Sequence, residues 1–419
     1  MRNLPLMLLL LILACPWPAQ AVPAWPAVTA IVFDGNKVTR ERVMLREMSL
    51  GPGDPADPRR IEESRQAILD LGLFRDVEID QHADRDGVVL TVRVREKRYL
   101  LPIPRLDTSS DKDYSYGAQV RWSNVFGRNH RLNAFVQRGR FPQDRNRERE
   151  QGARIAYTAP HVWDTSWLLR ATAEHIERQT PSPEGGYDED FQRVQLLAAY
   201  DLREGRPRRG WILGGGVFWQ DQKARGEFAP ASDGHATALV GTADFNDVRF
   251  HVYSESGQRF SVRLEAARRG WASDYSYARL TGRYQAFIPI GDRAHQSLHL
   301  LAEGGAYSGG PRSRNHYSLG GSTRLRAYDV DYLEGDRFWH VSSEFLRPIW
   351  RDWLRLFVVG EVGGIGRDVR GNSPRGPHAS IGIGARMRFT WFVEIEIETG
   401  IAWPLRGGGG AQFFAGGEG

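Results

Sequence analysis

From about residue 99 to the C-terminus, the sequence consists of strand-length runs in which apolar and polar residues alternate. Residues 381–389 are a clear example, because glycines and arginines alternate there with apolar residues. A second example is the run of residues 393–403, in which three glutamates alternate with apolar residues. A period of two places one set of side chains on each face of a β-strand. Stretches rich in glycine, proline, aspartate and asparagine separate the runs, and we find no convincing helical pattern among them. We count about sixteen predicted strands, within the range of bacterial outer-membrane barrels.

These predicted strands have one apolar and one charged face, which two architectures can explain. In a soluble β-sandwich the charged face points at bulk water, whereas in a transmembrane barrel it lines a wet interior. The strand length, the aromatic content and the N-terminal leader described below together favour the barrel. A mean hydropathy of −0.47 is compatible with it, because half of each strand faces water. The predicted fold of residues 99–419 is an all-β transmembrane barrel, closed because unpaired backbone groups are unstable in lipid.

The N-terminus has the pattern of a secretory leader. Arg2 precedes an apolar run over residues 4–14, and Ala19 stands two positions before Ala21. A basic start, an apolar core and a small-x-small end predict a signal peptide of residues 1–21. Its removal would take away Cys15, the only cysteine, and leave a chain without thiols in an oxidising compartment. The alternative is a lipoprotein signal that ends at Cys15.

Charge and motifs argue against several other classes of function. The formal charge is +5, and such an excess suits anionic lipid as well as nucleic acid. For an exported chain we interpret the arginine-rich residues 138–154 as a wet loop or a lipopolysaccharide contact, and we predict no nucleic-acid partner. No set of cysteines and histidines has metal-ligand spacing, and no glycine-rich stretch opens a helix as a phosphate loop does. We therefore predict no metal, no cofactor and no enzymatic activity.

Residues 22–98 have the pattern of a small α/β domain. A β-rich run at residues 28–33 precedes two helices, the first capped by Thr39 and the second opened by Asp57 and Pro58. Gly72 ends the second helix, and two strand-like runs follow around an Asp-Gly turn at residues 86–87. The predicted order is strand, helix, helix, strand, strand.

Several motifs of the chain carry a family resemblance. The element order of the front domain and its junction Leu71-Gly72-Leu73-Phe74-Arg75-Asp76-Val77 resemble those of a POTRA domain. In the barrel, the matching stretches are residues 124–127, residues 244–247 with Gly257, residues 319–328 and residues 344–348. With these stretches the chain resembles the bacterial surface-antigen superfamily of outer-membrane assembly and translocation proteins, which includes BamA-like, TamA-like and two-partner-secretion proteins.

The resemblance implies that the long loop around residues 319–328 folds back into the barrel lumen. The expected functional positions are Gly320, Gly321, Arg326, Tyr328 and Glu361, with Glu344, Arg347 and Gly363 in support. The chain departs from the family pattern at Ala327, which replaces a glycine, and at Glu361, which replaces an aspartate. A charge inside a barrel needs a partner, so we expect Arg326 to pair with Glu361 and pin the loop to the wall.

The same resemblance implies a non-enzymatic role in the bacterial outer membrane, with the front domain in the periplasm. The barrel would insert or translocate client polypeptides, which the POTRA-like domain would receive at a sheet edge. Lipid, lipopolysaccharide and periplasmic accessory proteins are further expected partners. The alternatives are a two-partner-secretion transporter for one dedicated passenger, a passive porin-like channel, and a barrel lipase built on His316 and Ser318.

A register can be predicted for the hairpin around residues 390–392. If these three residues form the turn, the opposed pairs are Phe389–Val393, Arg388–Glu394 and Arg386–Glu396. A slip by one residue would turn the glutamates toward lipid, where each charge costs up to roughly 2–4 kcal/mol. We therefore predict that the glutamates of the second strand face the lumen.

Overall fold

The computed structural model describes residues 25–108, 114–140, 148–180, 186–229, 234–310, 317–366, 376–393, 395–408 and 410–418. The predicted signal peptide, with Cys15, lies outside these ranges. The described chain forms a small three-stranded α/β unit followed by a sixteen-stranded antiparallel sheet. Among the described residues, no helix combines the length and the apolar character needed to span a bilayer.

The front unit contains strand β1 (Val28–Asp34), helices α1 (Glu41–Leu45) and α2 (Pro58–Leu69), and strands β2 (Phe74–Asp84) and β3 (Gly87–Glu96). This is the predicted order of elements. β3 lies in the centre of the sheet, parallel to β1 and antiparallel to β2. The Asp57 carboxylate accepts a hydrogen bond from the Arg59 amide and caps α2 as predicted. The prediction that Thr39 caps α1 is wrong, because the buried Thr39 hydroxyl instead bonds with the side chains of Tyr99 and Asn124.

The sixteen strands of the large sheet follow one another along the chain. They are β4 (Leu100–Thr108), β5 (Tyr114–Val125), β6 (His130–Arg140), β7 (Arg149–Ala159), β8 (Trp167–Thr180), β9 (Tyr187–Asp201), β10 (Gly210–Arg225), β11 (Gly234–His251), β12 (Ser254–Ala267), β13 (Tyr277–Pro289), β14 (Ser297–Gly309), β17 (Arg337–Pro348), β18 (Leu354–Ile365), β19 (His378–Phe389), β20 (Ile395–Pro404) and β21 (Gln412–Glu418). Two short strands, β15 (Tyr317–Leu319) and β16 (Leu333–Gly335), form a hairpin in the connection between β14 and β17. The sixteen antiparallel strands confirm the predicted β-barrel fold, but the predicted closure is not shown, because among the described residues the end strands β4 and β21 do not pair with each other.

The alternation in the sequence becomes two distinct faces of the sheet. In β12, Leu264 is 50% exposed whereas the neighbouring Glu265 is only 4% exposed. In β19, Ile383 is exposed on the outer face and Arg386 is buried on the inner face. The apolar set therefore faces lipid, and the charged set faces the interior, as a membrane barrel requires.

The hairpin between β19 and β20 has a register different from the predicted one. Its opposed pairs are Phe389–Ile395, Arg388–Glu396 and Arg386–Glu398. The predicted pairing was therefore wrong by two residues, although a shift of two keeps the predicted faces and Glu396 is buried inside. Glu394 lies outside the described residues. The connection is longer than predicted because Val393 is buried against the front unit, and the Arg98 amide donates to the Trp391 carbonyl at 2.8 Å.

The front unit is docked on turns at one end of the barrel. The Arg40 amide donates to the Gly127 carbonyl at 3.0 Å, in the turn between β5 and β6. The Phe250 amide donates to the Asp70 carboxylate at 2.9 Å, which connects the end of β11 to the region just after α2. Contacts of this kind also reach the turns after β7, β9 and β19. We call the opposite end of the barrel the far end.

Candidate functional site in the barrel lumen

The hairpin β15–β16 carries its connecting loop back inside the barrel. Three apolar residues of this loop segment, Leu319, Leu325 and Ala327, are fully buried. They belong to one apolar cluster with the wall residues Phe338 and Phe357. Burying a leucine side chain stabilises by about 1.5–3 kcal/mol, so apolar packing holds the loop in the lumen before any charge is considered.

The two predicted glycines shape the start of this loop. Gly320 and Gly321 have φ values of +124° and +96°, which other residues rarely adopt. A Cβ atom at residue 320 would lie 2.0 Å from the Asp329 carbonyl oxygen. The Gly321 amide also donates to the Tyr328 carbonyl at 2.9 Å. A larger residue at 320 is therefore incompatible with this backbone.

Arg326 and Glu361 are in direct contact inside the barrel. The Arg326 amide donates to Glu361 Oε2 at 2.8 Å, and its Nη1 donates to Oε1 at 3.2 Å. The Ser380 hydroxyl donates to the same carboxylate at 3.1 Å. The side chain of Arg326 is 11% exposed and that of Glu361 is 1% exposed. The wall carboxylate thus holds both the backbone and the guanidinium of the loop.

Arg326 also belongs to a chain of alternating charges on the inner wall. Its Nη2 lies 3.1 Å from Glu398 Oε1 and 3.6 Å from Glu344 Oε2. Arg386 contacts the same two carboxylates and lies 3.2 Å from Glu396. Buried charges are stable only when they are paired and hydrogen-bonded. This series of paired side chains therefore fixes the positions of several strands relative to one another.

A second group of ionisable side chains, beside the network of Arg326 and Arg386, was not predicted. Arg324 donates to both carboxylate oxygens of Glu303, at 2.8 and 2.9 Å. His340, which has no exposed surface, lies 3.1 Å from Glu303 and 3.5 Å from Glu361. Alternation placed Glu303 on the inner face of its strand, but a sequence does not show which loop arginine meets it. A cavity of 360 Å³ lies beside these residues.

Tyr328 and Gly363 also support the loop. The Tyr328 hydroxyl lies 2.9 Å from the Ala379 carbonyl and 2.7 Å from the Arg406 carbonyl, so its one proton can serve either acceptor. A Cβ atom at Gly363 would lie 3.1 Å from the Leu319 side chain. The absence of a side chain at 363 therefore lets the loop approach the wall.

Arg347 does not belong to the site, contrary to the prediction. It is exposed on the outer face of β17, whereas Glu344 is buried on the inner face of the same strand. The two residues are three positions apart, and an odd spacing places them on opposite faces of a strand. Of the residues considered for a lipase, Ser318 lies opposite Glu334 in the loop hairpin, and His316 lies outside the described residues.

Family models match most of the chain. The POTRA model, described as a surface antigen variable number repeat, matches residues 26–97, and the Omp85 superfamily domain matches residues 105–406. The chain is 33% identical over 114 residues to the outer membrane protein assembly factor BamA of Neorickettsia risticii, a match that covers 25% of this chain and 14% of that protein. For BamA of Nitratidesulfovibrio vulgaris the identity is 37% over 81 residues, or 19% of this chain and 10% of that protein. Each match thus spans a small part of the relative.

Solved structures share the fold over most of the chain. CdiB from Escherichia coli has a TM-score of 0.64 at 13% identity, with 94% of this chain and 76% of that chain covered. BamA from Haemophilus ducreyi lacking POTRA domains 1–3 has a TM-score of 0.55 at 14% identity, with 94% and 84% covered. The barrel fold and the BamA relatives indicate the bacterial outer membrane as the location. With a POTRA match in front of a barrel that matches over residues 105–406, the chain belongs to the Omp85 superfamily.

Proposed function

We propose that this protein inserts or translocates client polypeptides at the outer membrane, with its POTRA domain in the periplasm. The observation that carries the proposal is the pair of edges in the large sheet. The order of strands runs from β21 to β4, and within the described residues these two end strands have no pairing with each other. An unpaired strand edge is a template for the backbone of another chain.

The β4 edge is poorly suited to a complete ladder of hydrogen bonds. Pro102 and Pro104 lie in this strand, opposite Val120 and Ala118 of β5. Proline has no amide hydrogen, and inside sheets it is largely confined to edge strands. Two missing donors in a strand of nine residues weaken any seam that β4 forms with β21. This supports the seam as the place where a client strand exchanges partners.

The lumenal loop reaches the other edge of the sheet. The guanidinium carbon of Arg326 lies 5.4 Å from the centre of the Phe414 ring, and Phe414 belongs to β21. A cation over an aromatic face contributes about 0.5–2 kcal/mol. The same arginine is held by Glu361, so the loop connects the wall of the barrel to its last strand. In this proposal the loop keeps β21 in position while the seam opens.

The POTRA domain supplies a second pair of edges. Its sheet has the order β1-β3-β2, so β1 and β2 are both edge strands. An extended peptide can add to such an edge through main-chain hydrogen bonds. Because the domain is docked on turns of the barrel, a client captured there would already be close to the barrel. This supports a docking role for the domain.

The test is depletion of the protein followed by outer-membrane proteomics. The proposal expects loss of several barrel proteins or of a secreted passenger; broad loss indicates insertion, and loss of one secreted protein indicates dedicated export. If the protein composition of the outer membrane and the secretome is unchanged and the uptake of small solutes is altered, the proposal is wrong and the protein is a passive channel.

Cysteine pairs test the seam directly. Cells are complemented with a Pro104→Cys/Ala415→Cys variant, which places a thiol on each edge strand. The control is Pro104→Cys/Ala118→Cys, which joins two strands that are already paired. Crosslinking of the first pair should abolish complementation until a reductant is added, whereas the control should remain active. Full activity of a crosslinked seam would contradict the mechanism.

A further inference from the structure

The outer face of the barrel has an apolar recess on strands β5–β10. Its volume is 670 Å³. The outward side chains around it include Val120, Val136, Ala153, Ile155, Val194 and Trp219. The four valine and isoleucine side chains are each 41–57% exposed. On a convex barrel wall such a recess offers an acyl chain more contact than the flat surface beside it does.

Arginines lie directly beyond this recess, toward the far end. Arg138 is the next outward residue after Val136 on β6, two positions along the strand and therefore roughly 7 Å away. Further along, Arg140 of β6 lies directly opposite Arg149 of β7, on the same face. All three arginines are exposed. Like charges directly opposite each other destabilise a sheet. An anion bound between Arg140 and Arg149 would offset this repulsion.

Two acidic residues near this patch already have partners. Glu177 on the next strand accepts a hydrogen bond from Gln151 and lies 3.3 Å from His175. Glu150 bonds with Arg178 at 2.9 Å, and both side chains lie on the inner face. Among the described residues, Arg138, Arg140 and Arg149 form no ion pair. Within the described ranges, the patch therefore carries three positive charges without an acidic partner, next to an apolar recess.

We propose that this wall binds an acylated, phosphorylated glycolipid of the outer leaflet. One acyl chain would occupy the recess, and a phosphate would lie between Arg140 and Arg149, where arginine can donate two parallel hydrogen bonds. Four outward residues of β6, His130, Leu132, Ala134 and Val136, precede the first outward arginine, Arg138. The charges thus stand close to the recess, at the height of a headgroup. The inference rests on the proposed orientation, in which the far end faces outward.

The test is native mass spectrometry of the full-length protein in detergent. The probes are a diphosphorylated, multiply acylated lipid A, the same lipid after removal of its phosphates, and phosphatidylglycerol. The first test variant is Arg149→Glu. Its control is Arg337→Glu, because Arg337 is also an exposed arginine at the far end of the barrel, on β17. Ala153→Trp fills the recess, and Ala385→Trp places the same bulk on the outer face of β19. Heat-modifiable migration shows that each variant is folded.

Wild-type protein should retain lipid A in preference to both other probes. Arg149→Glu and Ala153→Trp should each lower the bound fraction by about tenfold, the effect of losing one charged hydrogen bond or a comparable apolar contact. The two control variants should bind as the wild type does. Equal binding of phosphatidylglycerol, or equal losses in the controls, would overturn the proposal. Because the readout is binding, the result stands apart from the outcome of the depletion experiment.

Discussion

Arg386 Nη2 of β19 lies 2.6 Å from Glu344 Oε1 of β17, so an ion pair spans the strand that separates them. The Arg386 side chain is 10% exposed, and it also contacts Glu396 and Glu398 of β20. One guanidinium thus joins three strands of the barrel wall. Because the three carboxylates share it, its removal would leave several buried charges without adequate compensation.

Replacement of Arg386 should therefore destabilise the barrel more than replacement of any outward arginine. Arg386→Met is expected to lower the free energy of unfolding by about 3–5 kcal/mol, the usual effect of breaking a buried ion pair. Arg347→Met, on the outer face of the same wall, is the control and should change stability by less than about 1 kcal/mol. Urea titrations of the refolded protein in detergent measure both. Equal effects of the two variants would show that the inner charges are not structurally important.

Arg326→Ala and Glu361→Ala should impair function while the barrel still assembles. Arg326→Ala should be the more harmful of the two, because it leaves Glu344, Glu361 and Glu398 close together without that arginine. Glu361→Gln keeps an acceptor for the Arg326 amide and should be milder. The measurements are heat-modifiable migration for assembly, protease sensitivity of the loop, and complementation of a depleted strain.

A charge-swapped Arg326→Glu/Glu361→Arg variant gives the control for this pair. It should recover part of the lost activity, although the backbone contact of residue 326 would not be restored. If Arg326→Ala complements as well as the wild type, the loop does not act through this contact.

Gly320→Ala should release the loop from the wall. The new Cβ atom would lie 2.0 Å from the Asp329 carbonyl oxygen, and the residue would have to keep a φ of +124°. Strain of this kind costs about 1–3 kcal/mol. Gly360→Ala is a matched control, because a Cβ atom there has nothing within 4 Å. Limited proteolysis should cut the loop of the first variant faster, and an unchanged rate would argue against the predicted strain.

The turn after β7 should make stability sensitive to acid. Burial, together with Arg46 and Arg208, lowers the pKa of His161 from 6.5 to about 4. Below pH 6.5 the unfolded chain takes up a proton that folded His161 does not, so stability falls as the pH drops from 6.5 to 4. His161→Asn removes this titration and tolerates the left-handed backbone found there. Unfolding free energies at several pH values should show a smaller acid loss for the variant; identical slopes would exclude His161 as the cause.

The faces of the strands could be predicted from the sequence, because alternation is a local property of the backbone. Leu264 and Glu265 illustrate this, since each lies on its predicted face. The length of the connection after Phe389 could not be predicted, because Val393 packs against a domain distant in sequence. For the same reason the partner of Thr39 was missed: Asn124 reaches it from the end of barrel strand β5.

The candidate site likewise contains some features that could be predicted from the sequence and others that could not. Arg326 and Glu361 were named from a motif, and their contact required the loop to fold inward. Arg347 was misplaced although its position relative to Glu344 already decided its face. The contribution of His340 depends on contacts with Glu303 and Glu361, which come from other strands, and no spacing in the sequence reveals them.

The arrangement of the two edge strands has a consequence for how the chain folds. Most strands of the sheet pair with a neighbour in sequence, so their contacts are local and can form early. Bringing β4 beside β21 is different, because it joins the two ends of the barrel sequence. The entropy of closing so long a loop grows only with the logarithm of its length, but non-local pairing is slow. Closure is therefore expected to be the last step in the biogenesis of this barrel, and prolines in β4 would delay that step further.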